Sequence, residues 1–397
     1  MSASTAAAPL GIASVRVAGI ATAAGIGYFG WGEHPMALGL SPVLALLWAQ
    51  APSRLYAWLV AVAYYLAVTR GMPTGTAVFF GTSASPLIGA GFWVLCGALL
   101  ALPWALFWSD RAAGYWWRLL AALLAVSVPP LGIFGWGNPL TAAGALFPRT
   151  SWLGLLATLA LMLAYCYAAT SARRARNTLA VHAALALSLL YGGTQPNPKS
   201  EARGVDTNLA GVGLGQYDFL ATYRNNQRLI AVARQQAADT VLLPESVAGL
   251  WLDATATLWT TAQIPRTVFV GAAEPLSGGD YSNVIVAVSP TARGVVYRQR
   301  VPVPIGMWHP WSDDSAVAHW RGPGVFYFEG QHYGALLCYE QLLLWPVLQT
   351  FAAQPDLVLA PTNAWWSRGT SVPALQKSIV TVWARLFDTP AVTAFNY

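Results

Sequence analysis

Three residues in the second half of the chain have types and positions suited to chemistry. They are Glu245 in DTVLLPES (239–246), Cys338 in YGALLCYEQ (333–341) and Asn363 in LVLAPTNAWW (357–366). Each stands where an apolar run ends, and α/β folds place reactive groups at the exits of their strands. Cys338 is expected at a strand-to-helix turn, where unpaired backbone N–H groups and the helix dipole favour thiolate over thiol, the reactive form. An isolated cysteine after Leu-Leu is more often an inert buried residue, the reading that suits Cys96 and Cys166 inside apolar stretches. A glutamate such as Glu245, taken alone, is most often a capping or surface acid. His309, His319 and His332 share no ligand spacing and the cysteines form no CxxC. Neither a metal site nor a disulfide framework is therefore expected, and no cofactor.

The elements that must position these residues are short β-type runs at 241–243, 267–270, 284–288, 325–328, 335–337, 357–359 and 391–395. Helical patterns at 217–237, 341–352 and 373–387 lie between them. This alternation predicts an α/β domain. The stretch YGGTQPNPKSEARG (191–204) is rich in Gly, Pro and polar residues and reads as a linker. The expected organisation is residues 1–193, a linker over 194–204, and a second domain over 205–397.

The first half differs in kind. The 397 residues are 56% hydrophobic and 10% charged, against about 25% charged in an ordinary soluble domain. Residues 1–193 hold nine arginines and only Glu33 and Asp110 as acids, a charge of +7, whereas residues 194–397 hold thirteen basic and fourteen acidic residues. The net +6 thus sits between apolar segments and not on a basic patch of the second half, which excludes a nucleic-acid partner on charge grounds. Apolar stretches at 17–31, 35–50, 55–69, 86–108, 115–136, 152–169 and 179–192 give seven expected spans. The uncharged run 71–109 has room for a further re-entrant piece. With the N-terminus inside, the inner loops collect Arg16, Arg54, Arg111, Arg118, Arg173, Arg174 and Arg176, and the outer ones only Arg70 and Arg149. That asymmetry, with an odd span count, predicts a bacterial inner-membrane protein whose second half faces the periplasm.

VLLPES, then ALLCYE about ninety residues on, then LAPTNAWW, in that order, resembles the nitrilase superfamily of carbon-nitrogen hydrolases. With its apolar first half the chain is similar, over residues 10–397, to apolipoprotein N-acyltransferase. Segments 281–306 and 371–396 carry that similarity further. Cys-Tyr-Glu-Gln and Pro-Val-Pro-x-x-Met-Trp sit closer to the wording of TraB-type conjugal transfer proteins, which share this architecture. The resemblance implies a multi-span α-helical membrane domain followed by an α/β nitrilase-like α-β-β-α sandwich. It also implies a mechanism in which Glu245 is the general base, Cys338 forms an acyl thioester and Glu340 is a supporting acid. A lysine that stabilises the oxyanion completes the family's set, and counting back from Pro304 and Gly306 its position falls on Gln299. Arg298 and Arg300 flank that position. Strand alternation points both away from it, and a bulge would turn one inward as a substitute cation. Two more departures are Met307, where the acyltransferase has an acid, and Tyr397, where the family pattern continues with more sheet and a last membrane helix, so a trimmed sandwich is expected.

The implied substrate-binding residues are Tyr339, Asn363, Trp365, Trp366 and Trp308. Trp308, Trp311 and Trp320 fall in a Pro- and Gly-broken loop and fit either the lining of an acyl-chain entrance or interfacial anchoring. Three functions follow as expectations: acyl transfer through Cys338, a catalytically degenerate component of conjugal transfer, or a membrane-tethered amidase. A membrane lipid is the expected acyl donor, and a lipoprotein or the conjugation machinery the expected partner.

Overall fold

The computed structural model describes residues 8–81, 86–111, 113–209 and 218–397. They divide into two compact units, Met1–Pro73 with Ala84–Gln195, and Thr74–Ser83 with Pro196–Tyr397.

The first unit is helical: α1 (Ala8–Gly30), α2 (Val43–Ala49), α3 (Arg54–Val68), α4 (Met72–Phe80), α5 (Pro86–Leu106), α6 (Tyr115–Ser127), α7 (Ala143–Leu146), α8 (Trp152–Thr170) and α9 (Arg174–Thr194). From Thr74 onward α4 clusters with the second unit. Leu87–Leu106 within α5 and Trp152–Thr170 are long and apolar enough to cross a membrane. The pair α3 and α4, bent by 55°, makes a third if it counts as one span. Pro35–Ala49 and Tyr115–Ser127 are apolar but shorter. Among the described residues helix length thus supports two or three spans, where the apolar stretches alone suggest seven. One buried polar cluster inside this unit satisfies itself, as groups away from water tend to. The Trp31 indole N–H donates to Ser41 Oγ (2.9 Å) and Tyr64 Oη (2.8 Å), and the Tyr64 hydroxyl donates to the Gly137 carbonyl (2.9 Å).

The second unit is built from two sheets. Strands β1 (Arg203–Gly204), β2 (Thr240–Leu242), β3 (Thr267–Pro275), β4 (Tyr281–Val288) and β5 (Arg293–Arg298) form one sheet in that order. Strands β6 (Val325–Phe328), β7 (Gln331–Ala335), β8 (Leu357–Asn363) and β9 (Ala391–Asn396) form the other. Between and around them run α10 (Phe219–Gln235), α11 (Asp253–Thr261), α12 (Leu344–Ala352) and α13 (Val372–Phe387). The pattern at 217–237 becomes α10, whose Asp218 carboxylate caps the helix by accepting the Ala221 N–H (3.1 Å). Tyr217 lies outside the described residues. The 341–352 pattern starts late, because residues Cys338–Leu342 wind as a 3-10 turn before α12 begins.

Strand alternation sorts the core into layers. Val284, Val286 and Val288 pack with Leu229, Ile230 and Trp259 of α10 and α11, whereas Ile285, Ala287 and Phe269 face Tyr333, Ala335, Leu359 and Ala394 of the second sheet. Helix α13 buries Leu375, Ile379 and Trp383, and the order of layers is α-β-β-α.

Candidate active site

The Glu245 turn is set by a glycine. Strand β3 passes so close beneath it that a Cβ on Gly271 would lie 2.4 Å from the Glu245 Cα and from the Pro244 carbonyl oxygen. The Gly271 N–H donates to that carbonyl (3.1 Å), and Ser246 takes a left-handed φ of 56° to turn the chain away. Cys338 follows β7 and is also left-handed, at φ 50°. That conformation is costly for a residue with a Cβ and is held only where the surroundings impose it. Here Gln376 on α13 donates to the Cys338 carbonyl (3.1 Å) and Gln299 to the Leu337 carbonyl (3.1 Å). The Glu340 carboxylate accepts the Leu337 N–H (2.8 Å).

These turns bring Glu245 and Cys338 into hydrogen-bond contact. Both are closed off from solvent, at 2% and 4% exposure. One Glu245 oxygen accepts from the Asn283 side-chain amide (2.6 Å) and the other from the Asn363 backbone N–H (2.8 Å). The Asn283 amide also donates to Gln299 Oε1 (2.9 Å), and its own oxygen accepts from the Ser246 hydroxyl (3.2 Å). Burial raises the Glu245 pKa above the ordinary carboxylate range, and the Glu340 charge adds to it, against the lowering effect of the Cys338, Asn363 and Asn283 donors. Burial likewise pushes the Cys338 thiol well up, and the Glu245 carboxylate pushes it further, while the Asn363 N–H and the Gln376 amide pull the other way. The expectation of a helix-stabilised thiolate is therefore corrected. The 3-10 turn at Cys338 is five residues long and supplies no long helix dipole, and a buried carboxylate beside the sulfur favours the neutral thiol. Such a pair works by proton transfer: the carboxylate takes the thiol proton as sulfur attacks.

Gln299 is fully buried beside this pair. Its oxygen faces Asn283 and one N–H is committed to Leu337. Neither arginine occupies that place. Arg298 is paired with Glu274 on the surface (2.7 Å). A bulge does interrupt the ladder, at Ile285/Val286 against β5, but Arg300 turns inward only after that strand has ended. It is fully buried, and its five N–H donors all have acceptors. Nε donates to Tyr297 Oη (2.8 Å). The two Nη groups donate to the Pro346 carbonyl (3.2 Å), Gln349 Oε1 (2.9 Å), the Ala335 carbonyl (3.2 Å) and Thr350 Oγ1 (2.9 Å). Nothing remains for an oxyanion. Glu340, 3.5 Å from Arg300 Nε, accepts from the Tyr297 hydroxyl (2.7 Å) and from the backbone N–H groups of Leu337, Arg300 (2.6 Å) and Val301 (3.2 Å). It holds the cysteine turn and does not touch the sulfur's partners.

Among the expected substrate-binding residues, Tyr339 is buried directly after the cysteine and Asn363 holds Glu245. Trp365 stacks on Phe79 of α4 (ring centroids 6.0 Å), and Gly75 lies so near Trp366 that a Cβ would meet its ring at 2.4 Å. Trp308 packs edge-on to Trp320 (5.3 Å), and Trp311 is 70% exposed. Sequence reasoning missed Asn283, Tyr297 and Gln376. The signal for Asn283 was a lone amide at the start of the otherwise apolar NVIVAV. Among the described residues no group of His, Cys, Asp and Glu is arranged to hold a metal ion.

No family model matches the chain. Among solved structures, an amidase of the nitrilase superfamily from Nesterenkonia AN1 is similar over 49% of this chain and 74% of its own, at 13% identity and a TM-score of 0.37. A carbon-nitrogen hydrolase from Helicobacter pylori G27 is similar over 49% and 73%, at 14% identity and a TM-score of 0.37. Among curated proteins, the conjugal transfer protein TraB of Agrobacterium fabrum is 37% identical, covering 94% of this chain and 90% of the relative. The probable conjugal transfer protein TraB of Sinorhizobium fredii is 34% identical over 94% and 95%. Identity at that level along nearly the whole length of both chains places this protein in the family of conjugal transfer protein TraB.

Proposed function

We propose that the protein is a membrane-anchored, nitrilase-type acyltransferase in which Cys338 carries the acyl group as a thioester and Glu245 is the general base, acting in conjugal transfer as its relatives' names indicate. The observation that carries this reading is the buried Glu245–Cys338 hydrogen bond, braced by Asn283 and Asn363. Two helices able to cross a bilayer support membrane anchoring, and the arginine asymmetry of the loops supports a periplasmic second unit. A membrane lipid is then the acyl donor and a lipoprotein or a component of the conjugation machinery the acceptor.

The test is mass spectrometry of the protein purified from membranes. An acyl adduct on Cys338, absent in Cys338→Ala and Glu245→Gln, is the expected result; no adduct in the wild type defeats the reading. Orientation is checked separately with alkaline phosphatase fusions. A fusion after Ser200 should be active and one after Arg174 silent, and the reverse pattern would place the second unit on the cytoplasmic side.

One observation favours a second reading, a catalytically degenerate component of conjugal transfer. No cation stands beside Cys338 among the described residues: Gln299 is neutral and Arg300 is fully engaged. A Cys338→Ala strain that conjugates normally, beside a deletion strain that does not, would establish it.

A further inference from the structure

The acyl-transfer reading leaves one requirement unmet. When the sulfur adds to an acyl carbon, the carbonyl oxygen gains a negative charge that needs a donor aimed at it in a water-poor site. Gln299 has only one N–H left for that purpose, Arg300 has none, and Arg298 is turned to the surface.

Strand β4 supplies another candidate. Its side chains alternate, and Ile285 and Ala287 belong to the layer between the sheets while Val284, Val286 and Val288 face the helices. Asn283 lies on the inter-sheet face, since its amide reaches Glu245 and Gln299. Tyr281 is two residues further along the same face, about 6.6 Å along the strand, a span that a tyrosine side chain can bridge. The backbone fixes it there: the Tyr281 N–H donates to the Ser315 carbonyl (3.1 Å) and its carbonyl accepts from Val317 (2.8 Å). The side chain is half-buried, and its hydroxyl has no hydrogen-bond partner among the described residues.

We propose that the Tyr281 hydroxyl is the oxyanion donor of this site, in place of the cation that Gln299 lacks. The inference rests on the acyl-transfer reading above. In the step, the Cys338 S–H proton passes to Glu245, the S–C bond forms, and the carbonyl π pair moves onto oxygen, which accepts a hydrogen bond from Tyr281. The phenol keeps its proton. On collapse the carbonyl re-forms, the bond to the leaving group breaks, and the leaving group takes the proton from Glu245. Burial first, and the nearby Glu245 charge second, raise the Tyr281 pKa, so the phenol is a neutral donor at any physiological pH.

The experiment compares two reagents on the full-length protein in membranes, with Cys338 modification read by mass spectrometry. An activated ester, p-nitrophenyl octanoate, forms an oxyanion when it acylates the sulfur, whereas iodoacetamide alkylates at a saturated carbon and forms none. Tyr281→Phe should slow acylation by about 100-fold, the scale of one lost oxyanion donor, and leave alkylation unchanged. Gln299→Lys in the Tyr281→Phe background should recover part of the loss by supplying a cation. Acylation unchanged in Tyr281→Phe, or acylation and alkylation falling together, would overturn the proposal. A variant that fails to fold shows itself as faster alkylation of the otherwise buried Cys338; in that case acylation as fast in Tyr281→Thr, which keeps a hydroxyl but cannot reach, as in the wild type would overturn it. A wild-type protein alkylated at Cys338 but never acylated would instead defeat the acyl-transfer reading itself.

Discussion

The second unit contains two buried carboxylates close to the same cysteine, Glu340 two residues after it in the chain and Glu245 in hydrogen-bond contact with it, and they are treated in opposite ways. Glu340 has a buried arginine 3.5 Å away and accepts from a tyrosine and three backbone N–H groups. Glu245 has an amide, one backbone N–H and a thiol, and no cation among the described residues. A carboxylate compensated as Glu340 is serves as a fixed anchor for the Leu337–Cys338 turn. A carboxylate left short of positive charge retains proton affinity, which is what a base needs. The difference teaches that burial alone does not mark a functional acid; the shortfall in compensation does.

The anchor half of this comparison should break most visibly. Arg300→Met leaves Glu340 buried without its cation, and removing one member of a buried ion pair costs about 3–5 kcal/mol. The midpoint of thermal unfolding should fall sharply, and the double change Arg300→Met with Glu340→Gln should recover part of the loss, because no charge is then left stranded. A single variant as stable as the wild type would show that the pair does not anchor the turn.

The base half is sharpened by pH. The folded Glu245 holds its proton more tightly than an unfolded glutamate at about 4.3, so between that value and its raised folded value the native state binds more protons. Stability therefore falls as pH rises through that window and levels off above it. In Glu245→Gln that slope should be absent. Acylation of Cys338 should rise across the same window as the base form appears. A rising limb centred at or below the ordinary glutamate value would contradict the raised pKa.

What could be read in the sequence follows from the same contrast. Glu245, Cys338 and Asn363 were legible because strand exits ending in charged or reactive residues form local patterns, and all three meet within hydrogen-bond reach. Asn283 was not, because a single amide in a strand acquires meaning only through its partners across the sheet. The state of the thiol was misjudged for a similar reason: whether a long helix or a five-residue turn follows Cys338 depends on how Leu337 to Leu343 are held, and Glu340 does that holding. In the first half, apolar runs marked helices but not their lengths. Nor does anything in MPTGTAVFF announce that α4 from Thr74 onward packs with the second unit, with Gly75 against Trp366 and Phe79 against Trp365.

The smallest expected effect concerns the two arginines on either side of Gln299. Both were expected on one face by alternation, yet Arg298 is half-exposed on β5 while Arg300, past the strand's end, is buried because its N–H and that of Val301 are drawn to Glu340. The Arg298–Glu274 pair is bidentate, at 2.7 and 2.8 Å, but with the arginine side chain 45% exposed water and salt screen it. Arg298→Ala should change stability by less than about 1 kcal/mol, and by less still in high salt. It should leave Cys338 adduct formation unaltered. If adduct formation instead fell as far as in Glu245→Gln, Arg298 would have to reach the reacting atoms when substrate is bound, and the cation missing beside Gln299 would have been found on the surface strand.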